Sequence, residues 1–164
     1  MNETLAVFKR SDKVAFFGVP SEDGTYTFHR MKGFDDISTS KNPKEYSRQY
    51  VDEDFEQTDV VGYNPSIAFN FDRIKENAVH NDIISIYDGE KVGADAVRPI
   101  VIVDMSDKSA IKREFAVIAE NEGSGTEAYK YSGTFRVKGD KVVGIASSDD
   151  DWQTINFAEA PTGE

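Results

Sequence analysis

The groups in this chain able to carry chemistry are two histidines, one Gly-Ser-Gly, an aspartate triplet and some of the 30 carboxylates. Gly123-Ser124-Gly125 has the makings of a loop whose backbone N–H groups cradle phosphate. It lacks the lysine and the strand-to-helix setting of such a loop, so a turn between two strands is expected. It is not a nucleophile elbow either, because the G-x-S-x-G spacing is missing. Asp149-Asp150-Asp151 offers hard oxygens to calcium, but that ion takes six or more oxygens from several directions. The alternating pattern of a calcium loop is absent here, and a solvated turn is expected. His29 and His80 fall in different elements without an i, i+4 partner, whereas zinc takes three or four ligands. Both read as surface or helix-face residues. General acid–base work needs one carboxylate held protonated in an apolar cleft beside an ionised one. The near pairs Glu120/Glu122 and Asp104/Asp107 are flanked by polar residues and read as solvated strand ends. With no cysteine, disulfides, thiolate nucleophiles and cysteine-ligated metals are excluded. The reading is therefore of a non-enzyme with no catalytic, cofactor-binding or metal site.

The charge balance points the same way. A formal net charge of −11 does not favour binding nucleic acid through the overall field, since phosphate contacts need lysine and arginine. It suits a surface past which DNA slides without sticking, but on composition alone the better account is a protein kept soluble by its carboxylates. Lys112, Arg113, Lys130, Arg136 and Lys138 alternate with apolar residues, as on the wet faces of strands, and form no tract with stacked aromatics. Met1 to Arg10 lacks a basic leader, an apolar stretch and a small-residue cleavage site, so no secretory signal is expected. No apolar run approaches the roughly 18 residues that span a bilayer.

The elements that must position any site are mostly strands. From Tyr129 to Lys138, Tyr129, Tyr131, Gly133, Phe135 and Val137 share one face and the polar residues the other, the period of a half-buried antiparallel strand. Lys13 to Val19 and Thr25 to Met31 flank the turn Pro20-Ser21-Glu22-Asp23-Gly24 and read as a hairpin. Val60 to Phe71 reads as strand, with Ile67, Phe69 and Phe71 aligned. Asp72 is the expected N-cap of the one helix, which carries Val79, Ile83, Ile86 and Tyr87 on one face and stops at Asp88-Gly89. Further strands follow at Arg98 to Val103, Ile111 to Glu120, Val142 to Ala146 and from Trp152 to Phe157. The tail 158–164 reads as loose. Phe34 to Asp59 is different, being polar, with Asp52, Glu53, Asp54, Glu56 and Asp59 close together. It reads as an extended arm or long loop with short strand pieces. Loops this long in compact domains are usually functional or disordered. Tyr46, Arg48 and Tyr50 on it are of the types enriched at protein interfaces. Length and pattern together give a single domain over 1–164, mainly β, a β-sandwich or half-barrel with one flanking α-helix.

The order of strand pairs, one helix and more strands resembles that of bacteriophage tail tube proteins. Val60-Val61-Gly62-Tyr63-Asn64-Pro65-Ser66-Ile67-Ala68-Phe69-Asn70-Phe71-Asp72 is similar to that family's entry into its helix. Gly93-Ala94-Asp95-Ala96-Val97-Arg98 is similar to the exit. Tyr131-Ser132-Gly133-Thr134-Phe135, Val143-Gly144-Ile145-Ala146 and Asp151-Trp152-Gln153-Thr154-Ile155-Asn156-Phe157 resemble the C-terminal hairpin of major tail proteins from phages of Gram-positive bacteria. The resemblance covers roughly Tyr46 to Phe157. It implies a structural virion protein made in the bacterial host cytoplasm and built into the virion tail. Six copies would pair sheet edges into a hexameric ring, and rings would stack into the tube through which DNA leaves the capsid. The implied partners are the protein itself and the tape measure, tail tip and terminator proteins, with DNA passing unbound through an acidic lumen and no membrane involved. The long loop, occupied here by Phe34 to Asp59, would reach adjacent subunits. The short N-terminus departs from longer family members. Two other readings stand beside this one: a monomeric β-sandwich binding a sugar or peptide in a tyrosine-lined groove, and a hydrolase with a carboxylate pair.

Overall fold

A computed structural model describes residues 6–124 and 126–160. Eleven strands run in the chain order β1 Lys13–Pro20, β2 Tyr26–Arg30, β3 Phe34–Ser40, β4 Pro43–Arg48, β5 Gln57–Tyr63, β6 Ser66–Asp72, then helix α1 Ala78–Asp88, then β7 Val97–Asp104, β8 Ser109–Ser124, β9 Lys130–Val137, β10 Val142–Ser147 and β11 Thr154–Glu159. Nine of them form one sheet in the order β10-β11-β2-β1-β7-β8-β9-β6-β3, and among the described residues β4 and β5 pair only with each other. All pairings are antiparallel. The long strand β8 explains the shape. Its Ser109–Lys112 end pairs with β10, and from Phe115 onward the same edge pairs with β9. The β10–β8 pairing closes six strands into a ring, and β9, β6 and β3 continue from it as an open flap. The fold is mainly β with one flanking helix, as expected, and the half-barrel alternative is the nearer description.

Strict alternation on the central strands builds two cores, one on each side of the sheet. On β1, Phe16 packs with Phe28, Val101, Val103, Ala146 and Ile155 inside the ring, while Ala15 and Phe17 face the helix side. On β7, Val101 and Val103 enter the ring and Ile100 joins the helix side. A strand buried on both faces loses the apolar–polar alternation, which is why Ile100-Val101-Ile102-Val103 reads as a continuous apolar run. The helix-side core stacks rings across the flap: Phe69 on Phe135 at 4.2 Å and Phe71 on Tyr131 at 5.3 Å.

The helix begins later than its sequence signals imply. Asp72 is not the N-cap: it ends β6, and its carboxylate takes Lys130 Nζ at 2.8 Å. Asn77 caps instead, its Oδ1 accepting from the backbone N–H groups of Val79 and His80 at 3.0 and 3.2 Å. Asparagine satisfies the orphan donors of the first turn as well as aspartate does, so the chain offers two capping residues and packing selects the second. Val79, Ile83, Ile86 and Tyr87 are buried on one face, as expected, along with His80 and Ile84. The Tyr87 hydroxyl donates to the Ser132 carbonyl across the sheet, and burial pushes its pKa up to about 12, keeping it a donor. That approach demands glycine at 133. A Cβ there would collide with the Ile118 carbonyl oxygen and lie 2.7 Å from the Tyr87 hydroxyl and 2.8 Å from the Phe69 ring.

Three other boundaries differ from expectation. Val60 to Phe71 is two strands, because Asn64 and Pro65 interrupt the ladder where proline has no N–H to give. The arm is not one loop: Phe34–Ser40 pairs along β6 in the main sheet, so only β4, β5 and their connection stand apart. Of the tail expected to be loose, Ala158 and Glu159 pair with Ile145 and Gly144, since backbone groups beside an open edge gain a partner there. Residues 161–164 lie outside the described residues.

His80 is fully buried, stacked on Phe71 at 4.2 Å, with Nδ1 accepting the Ile74 backbone N–H at 3.1 Å. Burial pulls both His80 and the half-buried His29 below the ordinary imidazole value of 6.5. The unfolded chain then takes up protons that the folded chain refuses, so stability is full above about pH 6.5 and falls as pH drops below it. Urea midpoints measured from pH 7.5 down to 5.5 should decline. His80→Phe should be less stable at pH 7.5, by about 1–3 kcal/mol for the orphaned Ile74 donor, yet show a flatter decline.

Candidate interaction surfaces

The β4–β5 hairpin is attached at a narrow neck. Asn42, with φ of 47°, gives its side-chain N–H groups to the Asn64 carbonyl and the Ser66 hydroxyl, both at 3.0 Å. The Asn64 N–H returns to the Lys41 and Asn42 carbonyls. Beyond this neck no residue from Pro43 to Tyr63 is buried. Seven large apolar or aromatic side chains on it face water: Tyr46, Tyr50, Val51, Phe55, Val60, Val61 and Tyr63. A two-stranded hairpin with nothing packed on either face is marginal in water, and contiguous exposed apolar area is the mark of a contact surface.

The three candidate interface residues all fall on this hairpin, with different freedoms. Tyr46 and Tyr50 are 55% and 54% exposed. Arg48 is engaged within the hairpin, its guanidinium 2.6 Å from Asp59 Oδ2 and 5.6 Å from the centre of the Tyr46 ring. Arg48 therefore braces the two strands and holds Tyr46 outward. The connection between the strands is more exposed than any of these. Val51 and Phe55, among Asp52, Glu53, Asp54 and Glu56, are 108% and 81% exposed. The acidic run was visible in the sequence; that its two apolar residues form the tip was not.

The second surface is a cleft of about 450 Å³ on the helix side of the sheet, beyond the area that α1 covers. Ala15, Ile37, Ile67, Ile100, Ile102 and Phe115 form its floor, and Lys9, Arg10, Lys13, Lys41 and Arg113 its rim. Arg10 donates to the carbonyls of Lys13 and Ile37, and Arg113 to that of Gly139. Among the described residues none of the five rim cations is within ion-pair distance of a carboxylate. The lining comes from strands scattered along the chain, so no local motif announces it.

The third surface is the outer face of the flap. Register places Asp36, Asn70 and Ser132 in one row, Ser38, Ala68 and Thr134 in the next, and Ser40, Ser66 and Arg136 in the third. The intervening rows, such as Ile37, Phe69 and Gly133, point into the core. A fourth row, Asp72 and Lys130, follows, with Asp35 also in reach of Lys130, so the outer face carries small polar side chains in its middle and charged ones towards its ends. Among the described residues the outer edge of β3 has no partner strand, and its register shifts between Phe34 and Asp36, a device that discourages indiscriminate edge pairing.

Of the groups weighed for chemistry, Glu120 borders the flap's outer face through Thr134, and the aspartates sit in turns of their own. Asp150 caps its own turn, accepting from Thr154 Oγ1 at 2.6 Å, Thr154 N at 2.9 Å and Ser148 Oγ at 2.9 Å. Those hydrogen bonds, Thr154's side chain foremost, hold its carboxyl at about 2. Asp107 is held below the usual carboxylate range by the Ser109 N–H and hydroxyl, and Asp104 accepts from Ser106. Glu120 accepts from Thr134 Oγ1 at 3.2 Å. Gly123 and Ser124 end β8, and Gly125 lies outside the described residues. Among the described residues no three of His, Asp and Glu gather as a metal site would require, and no helix is long and apolar enough to cross a membrane.

No protein-family model matches the chain, and no curated protein matches it. Among solved structures, a chain from the baseplate of the anti-feeding prophage (AFP), determined by cryo-EM and 6-fold symmetrised, spans 87% of this chain and 97% of its own, at 10% identity and a TM-score of 0.49. A chain from the tail of the empty GTA particle, computed with helical refinement in C6 symmetry, spans 86% of this chain and 100% of its own, at 12% identity and a TM-score of 0.62. This chain has the fold of that tail component.

Proposed function

We propose that the protein is the tail tube subunit of a long-tailed phage or a phage-derived particle, and that hexameric rings of it stack into the conduit for DNA. The observation that carries this reading is the hairpin Pro43–Tyr63, which has no buried residue and seven exposed apolar or aromatic side chains. Such an element is marginal in water and gains stability when another molecule covers it. The C6 symmetry of the tail that shares the fold supports a count of six, and the strings flanking α1 and in the C-terminal strands support a place among the major tail proteins of phages of Gram-positive bacteria. Tyr46 and Tyr50 contact the adjacent subunit, with Arg48 bracing them. The outer edge of β3 is the edge along which a neighbour's sheet continues, and closure into a ring removes the hazard of an open edge. The flap's outer face, rich in Ser, Thr and Asn, is the wall the DNA passes, where Lys130 is already held by Asp35 and Asp72 and little positive charge is left to hold phosphate. Tape measure, tail tip and terminator proteins complete the tail.

Sedimentation velocity over a wide concentration range tests this. Species of six subunits and larger are expected to grow with concentration. A monomer at every concentration favours the second reading, a ligand-binding module, for which the apolar cleft is the supporting observation.

A further inference from the structure

We propose that the acidic hairpin tip of one copy, Val51 to Glu56, seats in the cation-rimmed apolar cleft of another. This rests on the self-assembly reading above and names the contact that would join the copies.

Both halves of the contact are incomplete in the monomer. The tip exposes Val51 and Phe55 almost wholly, and Asp52, Glu53, Asp54 and Glu56 surround them without a cation in the run. The cleft, of about 450 Å³, has an apolar floor, with the chain's own Phe8 on its lining and five cations around it. In a chain of net charge −11, five cations without a carboxylate at ion-pair distance among the described residues form a local exception. Apolar anchor meets apolar floor, and carboxylates meet the rim. This is the arrangement that gives an interface a dry centre and a charged periphery.

A chain does not satisfy its own cleft with its own tip. Lys41 and Pro65, at the hairpin's neck, line the cleft, whereas the tip lies beyond the ladder from Pro43↔Tyr63 to Arg48↔Gln57. At about 3.3 Å per residue, the tip lies some 15–20 Å from the neck. Tip and cleft are different patches of one molecule, so the contact is head-to-tail. It closes if the rotation between copies returns to its start and extends into a stack if it does not.

The absence of native cysteine gives a clean test. Phe55→Cys and Thr39→Cys, the latter on the cleft lining, are made separately and together, with Glu22→Cys as an exposed control. Oxidation of mixed F55C and T39C proteins should give a heterodimer far in excess of the E22C and T39C mixture, and the double variant should give a ladder. Reversing Asp52, Glu53, Asp54 and Glu56 to lysine should lower the yield by about a hundredfold or more, as like charges meet the rim. Reversing Lys13, Lys41 and Arg113 to glutamate in the partner should restore it. Sedimentation of the wild-type protein is run alongside. Large species without a disulfide between the F55C and T39C chains would overturn the tip–cleft contact and leave self-assembly standing. A monomer with no cross-link would overturn both. A bond within one chain carrying Thr39→Cys and Asn2→Cys would give the cleft to the chain's own N-terminal residues and overturn the proposal.

Discussion

Joining Asn42 to Asn64 through a two-glycine link, with Pro43 to Tyr63 removed, is expected to leave a folded protein that associates far more weakly. The fold should survive because the removed residues include none that is buried, and because the neck is already closed by the hydrogen bonds between Asn64 and the Lys41 and Asn42 carbonyls. Shortening a loop lowers its closure entropy cost, so stability should hold within about 1 kcal/mol, the scale of surface changes. Self-association should weaken by at least about a hundredfold, because the interface loses its largest apolar anchors and truncating such anchors costs about 2 kcal/mol or more each. Urea unfolding followed by Trp152, the one tryptophan, checks the first half, and sedimentation velocity the second. A broader deletion beginning at Phe34 would not make this test, because it removes β3 and the contact of Phe34 with Phe71 at 5.0 Å.

Arg98→Ala is expected to cost about 3–5 kcal/mol, the penalty for removing one member of a buried ion pair. Arg98 Nε lies 2.8 Å from Asp82 Oδ2, with side chains only 7% and 11% exposed. Its Nη1 also donates to the carbonyls of Asp95 and Val97 at 3.0 and 2.9 Å. One guanidinium thus ties α1 to the turn before β7, and its loss leaves the largely covered Asp82 side chain without its ion-pair partner. Against a usual total of about 5–15 kcal/mol, that leaves a marginal protein. Arg98→Met with Asp82→Leu should recover most of the loss, since an apolar pair of similar volume needs no partner. Urea midpoints for the single and double variants decide it; a loss under about 1 kcal/mol for Arg98→Ala contradicts this account of the pair.

What could be read from residues alone was what local periodicity encodes. The Tyr131-Gly133-Phe135 face, the hairpin of β1 and β2, and the face of α1 carrying Val79, Ile83, Ile86 and Tyr87 are all present as read, because each depends on spacing within a single element. Long-range choices were not legible. Asp72 and Asn77 are both competent caps, but β6 continues to Asp72 in the sheet, where Lys130 of β9 takes its carboxylate. Arg98 read as a strand residue, because its partner Asp82 sits in another element. β3 read as part of an arm because its outer side chains are polar, while its inner ones, Phe34, Ile37 and Thr39, alternate too sparsely to stand out. Tyr46, Arg48 and Tyr50 lie on the hairpin that stands apart from the main sheet, and what Arg48 touches depends on Asp59 across the ladder. The cleft was invisible, since its lining is assembled from distant strands.

The central claim is that copies of this chain complete one another. Electron microscopy of the purified, concentrated protein tests it most directly. Rings with six-fold symmetry, alone or stacked into hollow tubes, are the predicted result, and their averaged density should place the hairpin against a neighbour. Uniform single particles of 18.3 kDa at every concentration, with the hairpin still bare, would contradict it.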